Sequence, residues 1–175
     1  DKTYTCTAQL GITTDTYDIT GQITSEANWQ DLKYIDSNRV EEVLKKFRGK
    51  IKQTVPPFSA VKVSGQKLYD LANENNLEEK KLPVRKVEIK KLVMTQLKKD
   101  VGSKKVYLSI ETEVSSGTYI RSLVHDIGKE LDVGACVTEL RRTKVDKYSV
   151  NDAHQVFDPK TFSFDEKFLP TSPRK

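Results

Sequence analysis

The chain of 175 residues is poor in the side chains that mark several common protein classes. It contains two cysteines, two histidines and a single tryptophan. Cys6 and Cys136 lie far apart, each in an apolar context, so we predict two buried, reduced thiols and no disulfide. His125 and His154 stand alone, without the spacing of a zinc site or of a Ser-His-Asp triad. The sequence therefore indicates neither a zinc centre nor a triad hydrolase.

Long hydrophobic runs and glycine-rich loops are also missing. No apolar stretch is long enough to span a membrane, and the first residues do not read as a signal peptide. No P-loop or dinucleotide fingerprint occurs, because Gly117 and Gly134 are isolated glycines. With its reduced thiols, the protein is expected in the cytoplasm, or in the nucleus or a mitochondrion if the source is eukaryotic.

Positive charge is what the chain has in excess. Lys and Arg number 30 against 25 Asp and Glu, which gives a net charge of +5. Such a balance favours a polyanionic partner such as nucleic acid, although many basic proteins bind none. The length suggests one domain, with at most a small appendage.

The stretch from Val114 to Arg121 is the most informative, because the hydrophobic period changes there. Residues 106–114 alternate between apolar and polar, as in a half-buried strand. Apolar residues then recur at helical spacing, and Thr118 is a plausible N-cap. This places Tyr119 and Arg121 in the first helical turn, where exposed N–H groups favour anions. A solvated arginine and a tyrosine at the core edge are the more ordinary interpretation. The predicted stripe comprises Ile120, Leu123, Val124, Ile127 and Leu131.

Other periodic segments predict an α+β domain with a mixed, mainly antiparallel sheet and flanking helices. Asp15 and Asp18 fall in a polar loop, where carboxylates that bond their own backbone are a better interpretation than half a metal site. The domain is expected over residues 1–157, followed by a tail over residues 158–175. Strands are predicted at 3–10, 19–24, 58–63 and 83–99. One helix is predicted to be capped by Ser37 or Asn38 and to run to about Phe47. Two more are predicted from Lys67 to about Asn75 and from Val150 to Phe157.

Four segments share their order and spacing with one known family. They are Lys2–Tyr4 with Thr14–Gly21, then Phe47–Lys62, then Ser116–Arg121, and last Gly134 with Leu140–Arg142. Together they resemble the TruB family of tRNA pseudouridine synthases. One such segment alone would be a weak signal, but four in register are strong.

This resemblance implies that the protein converts one uridine of the tRNA T-loop to pseudouridine, without cofactor or metal. The base is flipped out of the loop, at a cost of a few kcal/mol of lost stacking. An Asp carboxylate then attacks, and the base rotates and rejoins through carbon. The resemblance assigns Arg121 to pair with that Asp, which suits the fork geometry of a guanidinium.

Further residue roles follow from the same resemblance. Tyr119 would sit by the flipped base as a candidate proton acceptor, and Tyr4 would stack on its ring. Leu140 would close the pocket. The expected phosphate contacts are Lys62, Arg141 and Arg142.

The family segment that bears the nucleophilic Asp should lie upstream of Lys2. Asp15 and Asp18 belong to the following loop, and Asp126 belongs to the central helix. We therefore expect a catalytic domain lacking its N-terminal part, a monomer that by itself binds the T-arm of tRNA weakly and without turnover. Two alternatives stay open: a non-catalytic relative that binds or chaperones RNA, and a guide-RNA-dependent pseudouridine synthase subunit of a ribonucleoprotein.

Overall fold

A computed structural model describes residues 1–63, 65–73 and 82–153. Its strands are β1 (Lys2–Leu10), β2 (Ile12–Thr14), β3 (Ile23–Glu26), β4 (Gly49–Thr54), β5 (Lys62–Val63), β6 (Gln66–Lys67), β7 (Val84–Asp100), β8 (Lys105–Val114), β9 (Ala135–Val145) and β10 (Tyr148–Ser149). Its helices are α1 (Trp29–Leu32), α2 (Ser37–Phe47), α3 (Leu68–Asn73) and α4 (Ile120–Glu130), with a 3-10 turn at Val150–Asp152.

One six-stranded sheet organises these elements. Its order is β10-β9-β1-β8-β7-β4, and every neighbouring pair runs antiparallel. Two hairpins, β2–β3 and β5–β6, stand beside it. A parallel bridge between Asp18 and Val137 attaches the loop after β2 to β9. The predicted α+β class with a mainly antiparallel sheet is confirmed.

Helices α2 and α4 cover one face of the sheet. On β8 the alternate residues that face the helices are buried. They are apolar except for Thr112, whose hydroxyl donates to the Lys91 carbonyl at 2.8 Å. The predicted stripe of α4 is buried against that set, from Ile120 at 4% exposure to Leu131 at 0%. Each such side chain contributes roughly 1.5–3 kcal/mol of transfer free energy. The shared core includes Cys6, Leu10, Val40, Leu44, Leu108, Ile110, Leu123 and Ile127.

The N-caps of α2 and α4 differ from the predicted residues by one or two positions. The N-cap of α2 is Asp36, whose carboxylate accepts from the Arg39 N–H at 2.8 Å, instead of Ser37 or Asn38. The N-cap of α4 is Tyr119, which has no side-chain cap bond. Thr118 was the expected cap, but its hydroxyl donates to the Ser115 carbonyl at 2.8 Å and closes the preceding turn.

Several predicted bounds are wrong where turns interrupt the alternation. The strand expected at 19–24 is displaced to Ile23–Glu26, because Asp18 and Thr20 form a turn. Of the strand expected at 58–63, only Lys62–Val63 is a strand. In the described part of the expected helix at 150–157, the chain forms a 3-10 turn over Val150–Asp152, and Ala153 is exposed. Residues 74–75 and 154–157, and the predicted tail, lie outside the described residues.

The end of α4 depends on two glycines. Gly134 has φ +76° and its N–H donates to the Gly128 carbonyl at 2.9 Å, a glycine-dependent helix end. Gly128 packs directly on the start of β9, where an added Cβ would lie 2.2 Å from the Ala135 nitrogen. Only glycine allows this close approach of helix and strand.

Both thiols are buried and unpaired, as predicted. Burial raises the pKa of Cys6 to about 12. Burial, together with the negative charge of Asp18, raises the pKa of Cys136 to about 11. Neither thiol is therefore a nucleophile at neutral pH. Among the described residues, no helix is both long and apolar enough to cross a membrane.

Candidate active site

The corner between β8 and α4 is held by the neighbouring strand. Ser115 N–H donates to the Glu88 carbonyl at 2.9 Å, and the Ser115 hydroxyl accepts from the Glu88 N–H at 2.9 Å. Gly117 turns the chain with φ +86°, a conformation that other residues rarely adopt. The turn brings Tyr119 and Arg121 to the start of α4, where the sequence placed them.

Arg121 joins three segments of the chain. Its Nη1 donates to the Thr16 carbonyl at 2.8 Å and to Asp18 Oδ2 at 3.1 Å. Its Nη2 donates to the Phe58 carbonyl at 2.8 Å. The Arg121 and Asp18 side chains are each 24% exposed, so their charges are partly desolvated. A guanidinium has about five N–H donors, which leaves Arg121 the capacity to hold a further carboxylate.

Asp18 divides its two carboxylate oxygens between its own loop and Arg121. Oδ1 accepts from the Thr20 N–H at 3.1 Å and from the Thr16 hydroxyl at 3.0 Å. Burial alone would raise the pKa of Asp18, but the hydrogen bonds from Thr20 and Thr16 and the charge of Arg121 together hold it below its ordinary value. The carboxylate is therefore ionised at neutral pH and compensates part of the Arg121 charge.

The loop interpretation of Asp15 and Asp18 is confirmed, since Asp15 Oδ1 also accepts from a loop N–H, that of Gln22. The part that sequence reasoning missed is the ion pair between Asp18 and Arg121. The expected pairing of Arg121 with an upstream Asp stays a prediction. In the described part of the chain, no group of three or more His, Cys, Asp or Glu side chains is arranged to hold a metal ion.

Tyr119 is held through its backbone by a buried side chain of β4. The Tyr119 N–H donates to Gln53 Oε1 at 2.8 Å, and Gln53 Nε2 donates to the Tyr119 carbonyl at 3.0 Å. Close by, the Ser122 hydroxyl donates to the Thr54 carbonyl at 2.8 Å. The half-buried Tyr119 side chain packs on a small cluster formed by Val55, Leu68 and Leu82.

The register of β1 and β9 brings together three of the other predicted site residues. Tyr4 pairs with Arg142, and Cys6 pairs with Leu140, so these side chains share the helix-covered face of the sheet. Leu140 is 45% exposed, so that face is open at this end. Arg141 instead pairs with Thr5 and belongs to the opposite face. The structure therefore separates Arg141 from the group formed by Tyr4, Leu140 and Arg142.

Lys62 lies apart from this group, exposed on the β5–β6 hairpin. It stands opposite Lys67, whose ammonium donates to the Tyr69 hydroxyl at 3.1 Å. None of the ion pairs found among the described residues involves Lys62. An exposed lysine next to another lysine suits a polyanionic partner.

A basic groove of about 480 Å³ opens beside the corner and includes Ser115 in its lining. Its lysines come from β4 and β7, where Lys52 stands directly opposite Lys86. Like charges in opposed positions destabilise a sheet pair. None of the ion pairs in the described ranges compensates these two lysines. The corner is thus bordered by positive charge.

The site thus lies on an antiparallel sheet backed by helices, with a tyrosine and an arginine at one strand-to-helix corner. Residues 1–120 match the model described as TruB family pseudouridylate synthase (N terminal domain). Residues 121–167 match the tRNA pseudouridylate synthase B C-terminal domain. The chain belongs to the TruB family of pseudouridylate synthases.

Individual relatives agree with this assignment. The chain is 39% identical over 155 residues to tRNA pseudouridine synthase B of Aquifex aeolicus, a match that covers 87% of this chain and 50% of the relative. It is 41% identical over 160 residues to tRNA pseudouridine synthase B of Thermosipho melanesiensis, covering 90% of this chain and 48% of the relative. The chain thus spans about half the length of the curated relatives it matches.

One solved structure supports the fold. It is described as an H/ACA RNP bound to a substrate RNA containing 2'-deoxyuridine. The likeness has a TM-score of 0.50 at 21% identity and covers 85% of this chain and 29% of that chain. At this identity the likeness shows the shared fold.

Proposed function

We propose that the complete protein isomerises a uridine in the T-loop of tRNA to pseudouridine. Membership of the TruB family supports this, as do relatives named tRNA pseudouridine synthase B. The observation that carries the proposal is the half-buried Arg121, set at a strand-to-helix corner and tied to Asp18 at 3.1 Å. Since the chain spans about half of these relatives, the nucleophilic Asp is expected in residues outside this sequence.

In the proposed reaction the Asp carboxylate attacks the flipped nucleotide and the bond between the ribose and the base nitrogen breaks. The base rotates and its carbon bonds to the ribose carbon, which releases the Asp carboxylate. The proton on that base carbon then leaves, and the base nitrogen that was bonded to the ribose takes up a proton. Arg121 keeps the nucleophile ionised and oriented through its remaining donors. Tyr119 is the candidate acceptor of the departing proton. Tyr4 stacks on the base and Leu140 closes the pocket, from the open end of the sheet face that they share.

For RNA binding we propose a monomer that grips the T-arm by its phosphates. Arg142 is the better candidate of the arginine pair, because it shares a face with Tyr4 while Arg141 does not. Lys62 on its exposed hairpin is a second candidate, and the basic groove beside Ser115 adds positive charge close to the corner. Reduced, buried Cys6 and Cys136 support a cytoplasmic protein, or a nuclear or mitochondrial one in a eukaryote.

The test uses bare tRNA transcript carrying tritium at uridine C5, without guide RNA. We expect the complete gene product to release tritium, and to release none when the T-loop uridine is replaced by cytidine. The 175-residue chain should bind the same RNA weakly and release nothing. Binding by the complete product without any release would indicate a non-catalytic RNA-binding relative. Release that requires an added guide RNA would indicate a ribonucleoprotein subunit; either result overturns the proposal.

A further inference from the structure

Gln53 is a polar residue on the apolar side of an edge strand. It is in phase with Ile51 and Val55 and is only 1% exposed. An apolar side chain at this position would fill the core without having to satisfy a buried carboxamide, which is costly when unpaired. Both polar atoms of the carboxamide are instead used on a single residue, Tyr119. The contact joins positions 66 residues apart.

The two hydrogen bonds flank the Cα of Tyr119. The N–H belongs to the peptide before this Cα, and the carbonyl belongs to the peptide after it. A planar carboxamide that binds both groups fixes the φ and ψ of Tyr119, and thereby the direction of its Cα–Cβ bond. The Tyr119 carbonyl also accepts the first helical bond, from the Leu123 N–H at 3.1 Å. Gln53 thus completes the bonding of the residue that starts α4.

The corner between β8 and α4 has few contacts of its own that would fix the backbone of Tyr119. Just before Tyr119, Gly117 is exposed and has φ +86°, and an added Cβ there would meet only the Arg85 guanidinium, at 3.7 Å. Tyr119 is the N-cap residue and has no side-chain cap bond of its own. Among the described residues, Gln53 is the one whose side chain bonds the Tyr119 backbone.

We propose that Gln53 is a positioning residue for the isomerisation: its carboxamide clamps the backbone of Tyr119 and so aims the tyrosine side chain at the flipped base. This rests on the proposed role of Tyr119 in the reaction. Gln53 does not touch the RNA; it acts through Tyr119. The contact therefore affects the chemical step and leaves RNA binding unchanged.

The decisive comparison is between Gln53→Met and Ser122→Ala. Methionine fills similar space but offers neither hydrogen bond. Ser122→Ala removes a buried bond between the same two elements, from the Ser122 hydroxyl to the Thr54 carbonyl, and leaves the clamp intact. In the complete gene product we expect Gln53→Met to lower the single-turnover rate by about 10- to 100-fold, because misplacement of a reacting group by about 1 Å costs that much. The Kd for T-arm RNA should change by less than about threefold.

Ser122→Ala should keep the rate within about threefold of wild type, even where it loses as much stability as Gln53→Met. A Gln53→Met protein as fast as wild type, or one slowed no more than Ser122→Ala, overturns the proposal. A rate loss fully explained by weaker RNA binding overturns it as well.

Gln53→Glu supplies a pH readout that a purely structural role would not move. A neutral carboxyl can donate one hydrogen bond and accept another, which are the two contacts that the carboxamide makes with Tyr119, and burial favours the neutral form. As the pH falls, both contacts with Tyr119 return, so the rate relative to wild type at the same pH should rise. A ratio that stays well below one and does not rise as the pH falls contradicts the clamp.

Amide hydrogen exchange in the 175-residue chain separates this inference from the proposed function. The Tyr119 N–H should be protected in wild type and in Ser122→Ala and should lose protection in Gln53→Met; equal protection in all three overturns the clamp. If the wild-type complete product binds T-arm RNA but converts no uridine, the proposed function falls and the catalytic purpose of the clamp falls with it. The exchange result would still show whether the contact exists.

Discussion

Asp18→Asn tests the ion pair at the centre of the candidate site. The substitution keeps the size of the side chain and can keep the bonds from Thr20 and Thr16 through its amide oxygen. The amide nitrogen would then face the Arg121 Nη1, so that two donors meet where a charged pair stood at 3.1 Å. The neutral variant therefore removes the Asp18–Arg121 attraction and leaves the rest of the loop in place.

The expected magnitude follows from the burial of the pair. A hydrogen bond to a charged group contributes about 1.5–3 kcal/mol to stability. Both side chains are 24% exposed, so solvent screening reduces the contribution of this pair. We therefore expect Asp18→Asn to lower the free energy of unfolding by about 1–2 kcal/mol at pH 7.

Urea unfolding of the 175-residue chain measures this loss, with Asp15→Asn as the matched control. Asp15 lies in the same loop, and its contact with the Gln22 N–H survives as a bond to an amide oxygen. The control should therefore stay within about 0.5 kcal/mol of wild type. Equal losses in the two variants would refute the reasoning.

The pH dependence gives a second check with a defined sign. The folded pKa of Asp18 lies below its ordinary value of 3.8. The stability that the charged form contributes is then fully present above 3.8 and is lost as the pH falls through the folded pKa. The difference between wild type and Asp18→Asn should shrink below about pH 4. A difference that does not depend on pH would show that the charge is not responsible.

Three further predictions concern helix packing, a buried carboxyl and RNA contact. Gly128→Ala should lower the unfolding free energy by about 2–3 kcal/mol, because its Cβ would collide with the Ala135 backbone at 2.2 Å. Burial raises the pKa of Asp126 to about 6, against the opposing charge of Lys129, so its contribution to stability falls as pH rises from 3.8 to about 6. Asp126→Asn should therefore be about 1–2 kcal/mol more stable than wild type at pH 7.5 and nearly equal at pH 4, after allowance for screening. Arg142→Gln should weaken T-arm binding and reduce the salt slope of log Kd by about 0.7–0.9, whereas Arg141→Gln should not.

Each of these has its own control and contradicting result. Gly102→Ala adds a methyl group in an exposed turn, where the nearest atom is 3.5 Å away, and should change stability little. A Gly128→Ala protein as stable as Gly102→Ala would refute the packing argument. For Asp126→Asn, a gain that is the same at pH 4 and pH 7.5 would rule out titration as its cause. Equal salt slopes for the two arginine variants would contradict the assignment of faces.

Local periodicity was enough to predict much of the fold. The stripe of α4 and the alternation of β8 are short-range patterns, and burial of the same residues reinforces them. The corner that carries Tyr119 and Arg121 was predicted from the change of hydrophobic period between β8 and α4. The turn at Asp18–Gly21 was missed because its hydrogen bonds, and not its hydropathy, decide its shape.

The contacts of the site were beyond local patterns. Asp18 and Arg121 are 103 residues apart in sequence, and the local sequence around either residue does not indicate that the other is its partner. Gln53 left one signal, a polar residue in the apolar phase of β4, but its partner Tyr119 depends on how β4 and α4 pack. Sequence alone can mark such a residue as unusual; it cannot say what the residue holds.

The separation of Arg141 from Arg142 has a similar origin. Counting by twos from buried Val137 would place Arg141, not Arg142, on the helix-covered face. The pairing of β1 with β9 is irregular between Thr7 and Ala8, since Thr7 pairs with Glu139 and Ala8 pairs with Val137. Thr138 is therefore an extra residue in β9, and the alternation of faces is reversed beyond it. Such a bulge depends on strand pairing, so the single run of residues 135–142 does not reveal it.

The most direct measurement is the single-turnover rate of Arg121→Lys in the complete gene product, on T-arm RNA with tritium at the target uridine. Lysine keeps the positive charge but cannot hold Asp18, two carbonyls and a further carboxylate in one plane. We predict a loss of at least about 100-fold in the rate of tritium release, with RNA affinity nearly unchanged. An Arg121→Lys protein that releases tritium at the wild-type rate would contradict the central role given to this guanidinium.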